Sequence, residues 1–553
     1  MLSRLSLAVF LVSTAVAAQP TPVTPLAVGS ANTATADPTV PRPKATPCRV
    51  RLFTDMKFAD FSPKSFPYAP PAACPGPWQK VVLEADYSVE AGRQFDRTAT
   101  MWIGGVNVYF GTTAEPSRTV ARAWHIERDL TEYSAILETT SQGRAELGNL
   151  VNGTYTSSLW GTAQIAFYPG SKDSHDPGPA IADLVLPLSA SPTGGTVALF
   201  DPAAELSATF QLPRNVERAY LDVILQHQGA NDEFWYVCVP TNLAGELQSC
   251  VGTAFREGQL SIDGQQAGVV PIFPWIFTGG VDPFFWRPIP APQALNFVPY
   301  RVDVTPFAGV LSDGQPHRFA IKVTNDSQYF STTATLLLHL DHRSTQVTGA
   351  ITQNTIGRPS PAVNAVLNTD PTTGTVTGTV TTTSSRQFVL AGWVKTSHGR
   401  IRTEVAQTIA FSNLQQFVSP QSLPEIFVQN IRQSTAISST TKVQGGRQSG
   451  ETSLRMSWPL EMDLTVNIDQ SGGFVSQIGK VKQAYNRVDS AGDSASVVSN
   501  SGEWADIYPT QQGQSGTQRF FFSDSEDHCF SRALSASAGV LTSIADGNGC
   551  DDD

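Results

Sequence analysis

From Cys48 onward the chain breaks into short runs in which apolar and polar residues alternate, with Gly, Pro or Asn punctuating the gaps between them. KVVLEADYSV (80–89), ATMWIGGVNVYF (99–110), RAYLDVILQ (218–226), HRFAIKVTN (317–325) and TATLLLHLD (333–341) are examples. A period of two throws successive side chains to opposite faces of an extended chain, so these runs predict antiparallel strands with one face buried. Helical periodicity is scarce, and Leu423 to Ser434 is the segment expected to form a helix. So many short strands predict an all-β protein, with two antiparallel jelly-roll-like sandwiches over 47–190 and 191–345 and a third β-rich domain over 346–553. The last region is rich in Ser, Thr, Gly and Gln yet keeps runs such as QFVLAGWVKT (387–396), which predicts strands with polar faces and not disorder.

The first residues, MLSRLSLAVFLVSTAVAAQP, carry a charge at Arg4, an apolar stretch from Leu5 to Val16 and small residues up to Ala18. That is the pattern of a signal peptide over 1–18, too short in its apolar part to span a bilayer. The Pro/Thr-rich stretch 19–46 reads as a linker. A secreted, extracellular protein without a membrane anchor is expected. The net charge of -11 is spread thinly and offers no cationic track for a phosphate backbone, which argues against nucleic acid as a partner. The six cysteines fall as close pairs, Cys48/Cys74, Cys238/Cys250 and Cys529/Cys550, and predict three local disulfides in an exported chain. CxxC and HExxH are absent, and His339 and His342 lie three apart in a strand, on opposite faces, so neither metal nor cofactor is expected. The sequons at Asn152 and Asn325 are candidate glycosylation sites.

There is no GxSxG elbow, catalytic-Cys signature or phosphate loop, which leaves carboxylates embedded in aromatic sequence. In GRQFDRTATMWIGG, alternation puts Phe95, Ala99, Met101 and Ile103 on one face and Asp96, Thr98, Thr100 and Trp102 on the other. Asp96 thus points away from the apolar set, either as a reactive acid or as a partner for a neighbouring Arg at a strand end. In QHQGANDEFWYVCVP a turn leads into an expected strand on which Glu233 and Trp235 share a face. A carboxylate beside a large ring suits a sugar site, because the ring covers apolar sugar faces while the acid takes hydroxyl or amide hydrogens. A buried Glu beside core aromatics is the competing reading. PIFPWIFTGGVDPFFWRPIP (271–290) packs six aromatics with five prolines and is either a binding wall or a hydrophobic plug between domains.

The runs GRQFDR (92–97), TAEP (113–116), LGNLV (147–151), NDEFWY (231–236), SIDGQQAGVV (261–270), PWIFTGGVDPFFWRPI (274–289), YRVDVTPFAG (300–309) and KTSHG (395–399) resemble the peptide:N-glycanase A family, in the family's order. The resemblance implies an acid-active, metal-free amidase that hydrolyses the glycosylated Asn side-chain amide of glycopeptides or glycoproteins and leaves Asp. A more distant similarity to the two-sandwich peptide:N-glycanase F implies Asp96 as the leading catalytic residue and Glu233 as the second, with Glu146 or Asn149 open as the place of a third acid. Arg97 and Arg287 are candidates for carbonyl or N-acetyl oxygens. Trp235, Trp275 and Trp286 are candidate sugar platforms, with Trp102, His227 and Asp232 as further substrate contacts. An endo-acting glycoside hydrolase on the chitobiose core and a non-catalytic carbohydrate-binding protein are the competing functions, and the products separate all three.

Overall fold

The computed structural model describes residues 20–170, 181–446 and 449–547; the signal peptide expected over 1–18 and Cys550 lie outside them. The first sandwich pairs two antiparallel four-stranded sheets. One runs in the order Cys48–Phe58, Leu159–Pro169, Trp78–Val89 and Arg122–Asp129; the other runs Lys64–Tyr68, Ser141–Leu147, Thr98–Ile103 and Val106–Thr112. The predicted alternation holds in its inner faces: Val81, Leu83, Ala85 and Tyr87 from one sheet meet Ala99, Met101 and Ile103 from the other in a shared core. The opposite face of Thr98–Ile103 is buried as well, because Gly194 packs directly on the Trp102 ring.

The second sandwich joins a five-stranded sheet centred on Val216–Gln228 and Tyr329–Leu340 to a four-stranded sheet, Leu206–Gln211, Pro316–Thr324, Glu257–Ile262 and Gln265–Pro271. Leu184–Leu188, on the near side of the boundary expected at 190, pairs with Tyr329–Leu340 and so belongs to this sandwich.

The rest of the chain is one 11-stranded antiparallel sheet from Thr348–Asn354 to Val540–Gly547, with strands of up to 21 residues. The helix expected over 423–434 is a strand, Glu425–Gln444. Its inward residues are Gln429, Gln433 and Thr435 beside Ile431 and Ile437, so three of the five buried positions are polar and the hydrophobic pattern alone misses the period of two. The polar face of this sheet turns inward. Asn413, Gln415, Gln429, Gln483 and Gln514 are buried, and their amides donate to the carbonyls of Tyr236, Cys238, Val237, Pro274, Phe284 and Arg287 in the irregular loops of the second sandwich. Loop carbonyls removed from water need donors, and the amide-bearing strands supply them.

Residues 20–46 form no free linker. They cross the molecule as an extended strap: Ser30 O accepts from Leu541 N, Ala34 N donates to Pro288 O, Ala36 N to Gln518 Oε1 and Val40 N to Glu127 Oε2. Cys238–Cys250 is a disulfide closing the loop behind Glu233. Cys529 is disulfide-bonded. Cys48 and Cys74 face each other with one thiol hydrogen-bonded to the other and no bond between the sulfurs, in contrast to the expected bridge.

Candidate active site

Asp96 stands not in a strand but in the approach to Thr98–Ile103, held by Gly92 N to Ser117 O (2.9 Å) and Gln94 Nε2 to Ser157 O (3.1 Å). The aromatic loop of the second sandwich comes down onto it. Phe297 N donates to Phe110 O (2.8 Å), Thr112 N to Ala294 O (2.7 Å) and the Thr278 hydroxyl to Thr113 O, which lays the loop along the last strand of the first sandwich. This delivers Gly279 N–H to Asp96 Oδ1 at 2.8 Å. A Cβ at position 279 would lie 2.5 Å from that oxygen, so only glycine permits the approach.

Two further acids share the crevice. Glu115 follows the strand Val106–Thr112, and Glu233 ends a short helix, Ala230–Glu233, at the expected turn; a 3-10 turn, Trp235–Val237, follows where a strand was expected. Asp96, Glu115 and Glu233 are each half-buried. Burial pushes Asp96 up to about 6, against the Gly279 N–H and the Arg97 charge, which favour its ionised form. Burial and then the Asp96 charge push Glu115 up to about 8, with Arg287 and Arg97 opposing. The same two causes push Glu233 up to about 8. Like charges cannot all form in one desolvated site, so the protons are held unequally.

Arg97 is 6% exposed, lies over the Phe95 ring at 4.1 Å, and has Nε and Nη2 buried without a hydrogen-bond partner among the described residues. A buried guanidinium with unused donors is poised for an incoming oxygen. Arg287 is also buried; it donates to Pro116 O beside Glu115 and covers the Phe284 ring at 4.8 Å.

Several expected substrate contacts are structural. Trp235, Trp275 and Trp286 are 1%, 5% and 2% exposed, so no ring face is free for a sugar. Trp286 donates to Gly280 O at 2.8 Å and packs on Trp504 at 5.0 Å, the plug reading of the aromatic loop. Trp102 is fully buried and donates to Thr100 Oγ1. His227 is fully buried against Trp235, Tyr236, Trp275 and Phe330, and burial lowers it to about 4, so it stays neutral. Asp232 is a staple: it accepts the backbone N–H groups of Ser327, Gln328 and Tyr329 and an ion pair from Arg256 at 3.0 Å. Of the residues considered for the third acid, Glu146 pairs with Arg144 at 2.8 Å and its charge reaches Tyr329, and Asn149 is buried and donates to Phe58 O and Ser157 O. Of the sequons, Asn152 is exposed and Asn325 half-buried.

Glu115 and the exposed rings are the residues that sequence reasoning missed. Glu115 lies within TAEP, a run that carries the family resemblance, but it has no aromatic neighbour to mark it. Phe61, 62% exposed, stacks on Phe95 at 6.4 Å, and Tyr155 meets Phe95 edge-on at 5.0 Å. On the Glu233 side Phe200, also 62% exposed, stacks on Tyr329 at 5.4 Å. Among the described residues, Glu217, Asp341 and His398 bring possible metal ligands within 4.8 Å of one another. They lie away from the crevice, and the Asp341 oxygens already accept from Ser397 and from Arg343 N. A cavity of about 1290 Å³ between the second sandwich and the long sheet, lined by Arg218, Tyr300, His339 and Arg487 among others, includes none of the three crevice acids.

Residues 38–356 match the family model described as peptide N-acetyl-beta-D-glucosaminyl asparaginase amidase A. The chain is 33% identical over 392 residues, 67% of each protein, to peptide-N4-(N-acetyl-beta-glucosaminyl)asparagine amidase A of Prunus dulcis. Among solved structures, PNGase F, a glycosylasparaginase from Flavobacterium meningosepticum, overlaps 53% of this chain and 96% of its own at 12% identity and a TM-score of 0.35. PNGF-II overlaps 54% and 66% at 14% identity and a TM-score of 0.35. On the family match and the Prunus relative, which together span the crevice and both sandwiches, this chain belongs to the peptide N-acetyl-β-D-glucosaminyl asparaginase amidase A family.

Proposed function

We propose that Asp96, Glu115 and Glu233, with Arg97, carry the family's reaction in this chain: hydrolysis of the side-chain amide that joins an N-glycan to Asn. The observation that carries the reading is the meeting of the two sandwiches at Asp96, where Gly279 N–H reaches Asp96 Oδ1 at 2.8 Å beside the unpartnered Nε and Nη2 of Arg97; burial raises Asp96 to about 6 and Glu115 and Glu233 to about 8. At neutral pH one base therefore stands next to two proton donors. The amide carbon is a poor electrophile. Asp96 takes a proton from water as its oxygen bonds to that carbon, and the unused donors of Arg97 meet the developing oxyanion. Glu233, on the second sandwich, gives its proton to the leaving nitrogen as the C–N bond breaks. Glu115, flanked by Arg97 and Arg287, holds polar groups of the first sugar. The products are a glycosylamine and an Asp in the peptide. The exposed Phe61/Phe95 and Phe200/Tyr329 stacks on the two sides serve as platforms for sugar or peptide, in place of the buried tryptophans.

Substrates of this class are N-glycosylated peptides and glycoproteins met outside the cell. The signal-like N-terminus and the Cys238–Cys250 disulfide support export.

Glu115→Gln and Glu146→Gln separate this site from its alternative. Glu115→Gln is expected to lose about 100-fold or more of kcat/KM on a glycopeptide, the ordinary weight of a catalytic or charge-matched acid, while Glu146→Gln keeps nearly wild-type rates. Equal rates for the two variants would remove Glu115 from the site.

A further inference from the structure

The long C-terminal sheet touches the aromatic loop where the loop serves the crevice. Gln514 Nε2 donates to Phe284 O (3.1 Å) and Arg287 O (2.9 Å), Gln477 Nε2 to Val281 O (2.9 Å), and Trp504 Nε1 to Ile289 O (2.9 Å). All four contacts lie between Gly279, which reaches Asp96, and the end of the loop that carries Arg287. Between them stands a fifth, of a different kind. Asp282 of the loop faces Asp506 of the strand Ser494–Tyr508, carboxyl to carboxyl. Asp282 Oδ1 accepts Phe284 N at 2.8 Å, whereas its Oδ2 and both carboxyl oxygens of Asp506 are buried without a hydrogen-bond partner in any other group among the described residues. Two ionised carboxylates cannot donate to each other, so this contact closes only when one proton lies between them.

We infer that the C-terminal sheet is part of the catalytic apparatus, with Asp506, through its shared proton with Asp282, and Gln514 acting as positioning residues that hold Gly279 against Asp96 and Arg287 against Glu115. The inference rests on the crevice assignment above. The charged groups around the pair are few. Arg287, on the same loop, feels Glu115 first, then Asp282 and Asp506; Arg122, from the first sandwich, is a like charge near Arg287. Asp282 is pushed up to about 7 by burial and by Asp506, and Asp506 is raised by burial. Below about 7 the proton closes the pair and leaves Arg287 to Glu115. Above it, two buried negative charges repel each other and draw Arg287 toward themselves, and the loop loosens from Asp96.

The test is the pH profile of kcat/KM for the full chain and for Asp506→Asn, whose amide donates to the Asp282 carboxylate at any pH. The wild type is expected to decline above about pH 7, and Asp506→Asn to hold its rate to about pH 8, with substrate KM little changed; Asp282→Asn repeats the shift from the other side. In the wild type, hydrogen exchange of backbone amides 277–287, corrected for intrinsic rates, should accelerate above about pH 7, a readout that needs no variant to fold. Superimposable profiles for wild type and both variants, or exchange in 277–287 indifferent to pH, would overturn the inference. Loss of activity at every pH in Asp96→Asn is independent of these outcomes and bears only on the crevice assignment.

Discussion

Three carboxyls in one desolvated crevice set the chemistry at the scale of single residues. In its proposed role Asp96 must be ionised to act on water, so activity is expected to fall as pH drops through about 6. Glu233, as the proposed donor, must hold its proton, so the decline that begins above about 7 with the Asp282–Asp506 pair is expected to be complete as pH rises through about 8. Rates measured across this range should therefore be bell-shaped, and a profile flat from pH 5 to 9 would contradict the assignment. The acidic optimum implied by the family resemblance lies below the centre of this bell, and the measured maximum decides between the two. The same shifts act on stability. A carboxyl whose folded value lies above its unfolded one retains its proton in the native state, so stability is greatest below the unfolded value and is lost as pH rises through the folded one. Glu115→Gln removes a charge that the fold accepts with difficulty, so its melting temperature should exceed the wild type's at pH 8 and match it near pH 4.5. A variant less stable than the wild type at pH 8 would show that the Glu115 carboxylate is well solvated. Asp96 was singled out in the sequence by its place off the apolar face, and its proposed role by the resemblance to the glycanases; Glu115 was not, because its partners come from Asp96 and from Arg287, 19 and 172 positions away in the chain.

At the scale of elements, the aromatic loop 271–299 decides where the site can form. Proline after proline keeps it out of a sheet, and its rings fill the space between the second sandwich and the long sheet. The sequence pattern announced the loop but not its orientation, since six aromatics serve a binding wall and a plug equally well. What separates the two is the opposing surface, Trp504 and Tyr485 from strands more than 180 residues away. The strand assignments from alternation succeed in the sandwiches, where one face is apolar, and fail at Glu425–Gln444 and Trp235–Val237, where buried amides or a short turn break the pattern. Trp286→Ala gives the clearest reading of the loop's role: with its face against Trp504 and its N–H on Gly280 O, truncation should cost about 3–5 kcal/mol of stability. A variant that melts like the wild type but binds glycopeptide weakly would restore the ring to the substrate surface.

Across the whole molecule, the two sandwiches supply the acids and the long sheet supplies the surface on which the second sandwich's loops are set. The Gln-rich composition of 346–547 made strands with polar faces legible, but the direction of those faces depends on loop carbonyls that only the folded chain brings within reach. The strap 20–46 read as a linker for a similar reason. Its Pro and Thr residues have no pattern of their own, and its hydrogen bonds go to Leu541, Pro288, Gln518 and Glu127, all remote in sequence. The proposed reaction turns on Asp96 delivering water to an amide carbon. Its most direct test is mass spectrometry of a glycopeptide treated in ¹⁸O-labelled water with the wild type and with Asp96→Asn, the latter checked for folding and for glycopeptide binding. The wild type should yield a peptide with Asp in place of the glycosylated Asn and one heavy oxygen in its side chain, and Asp96→Asn should bind the glycopeptide yet leave it almost entirely intact. Release of the glycan by Asp96→Asn at a rate near the wild type's, or a peptide product still bearing one GlcNAc on Asn, would contradict it.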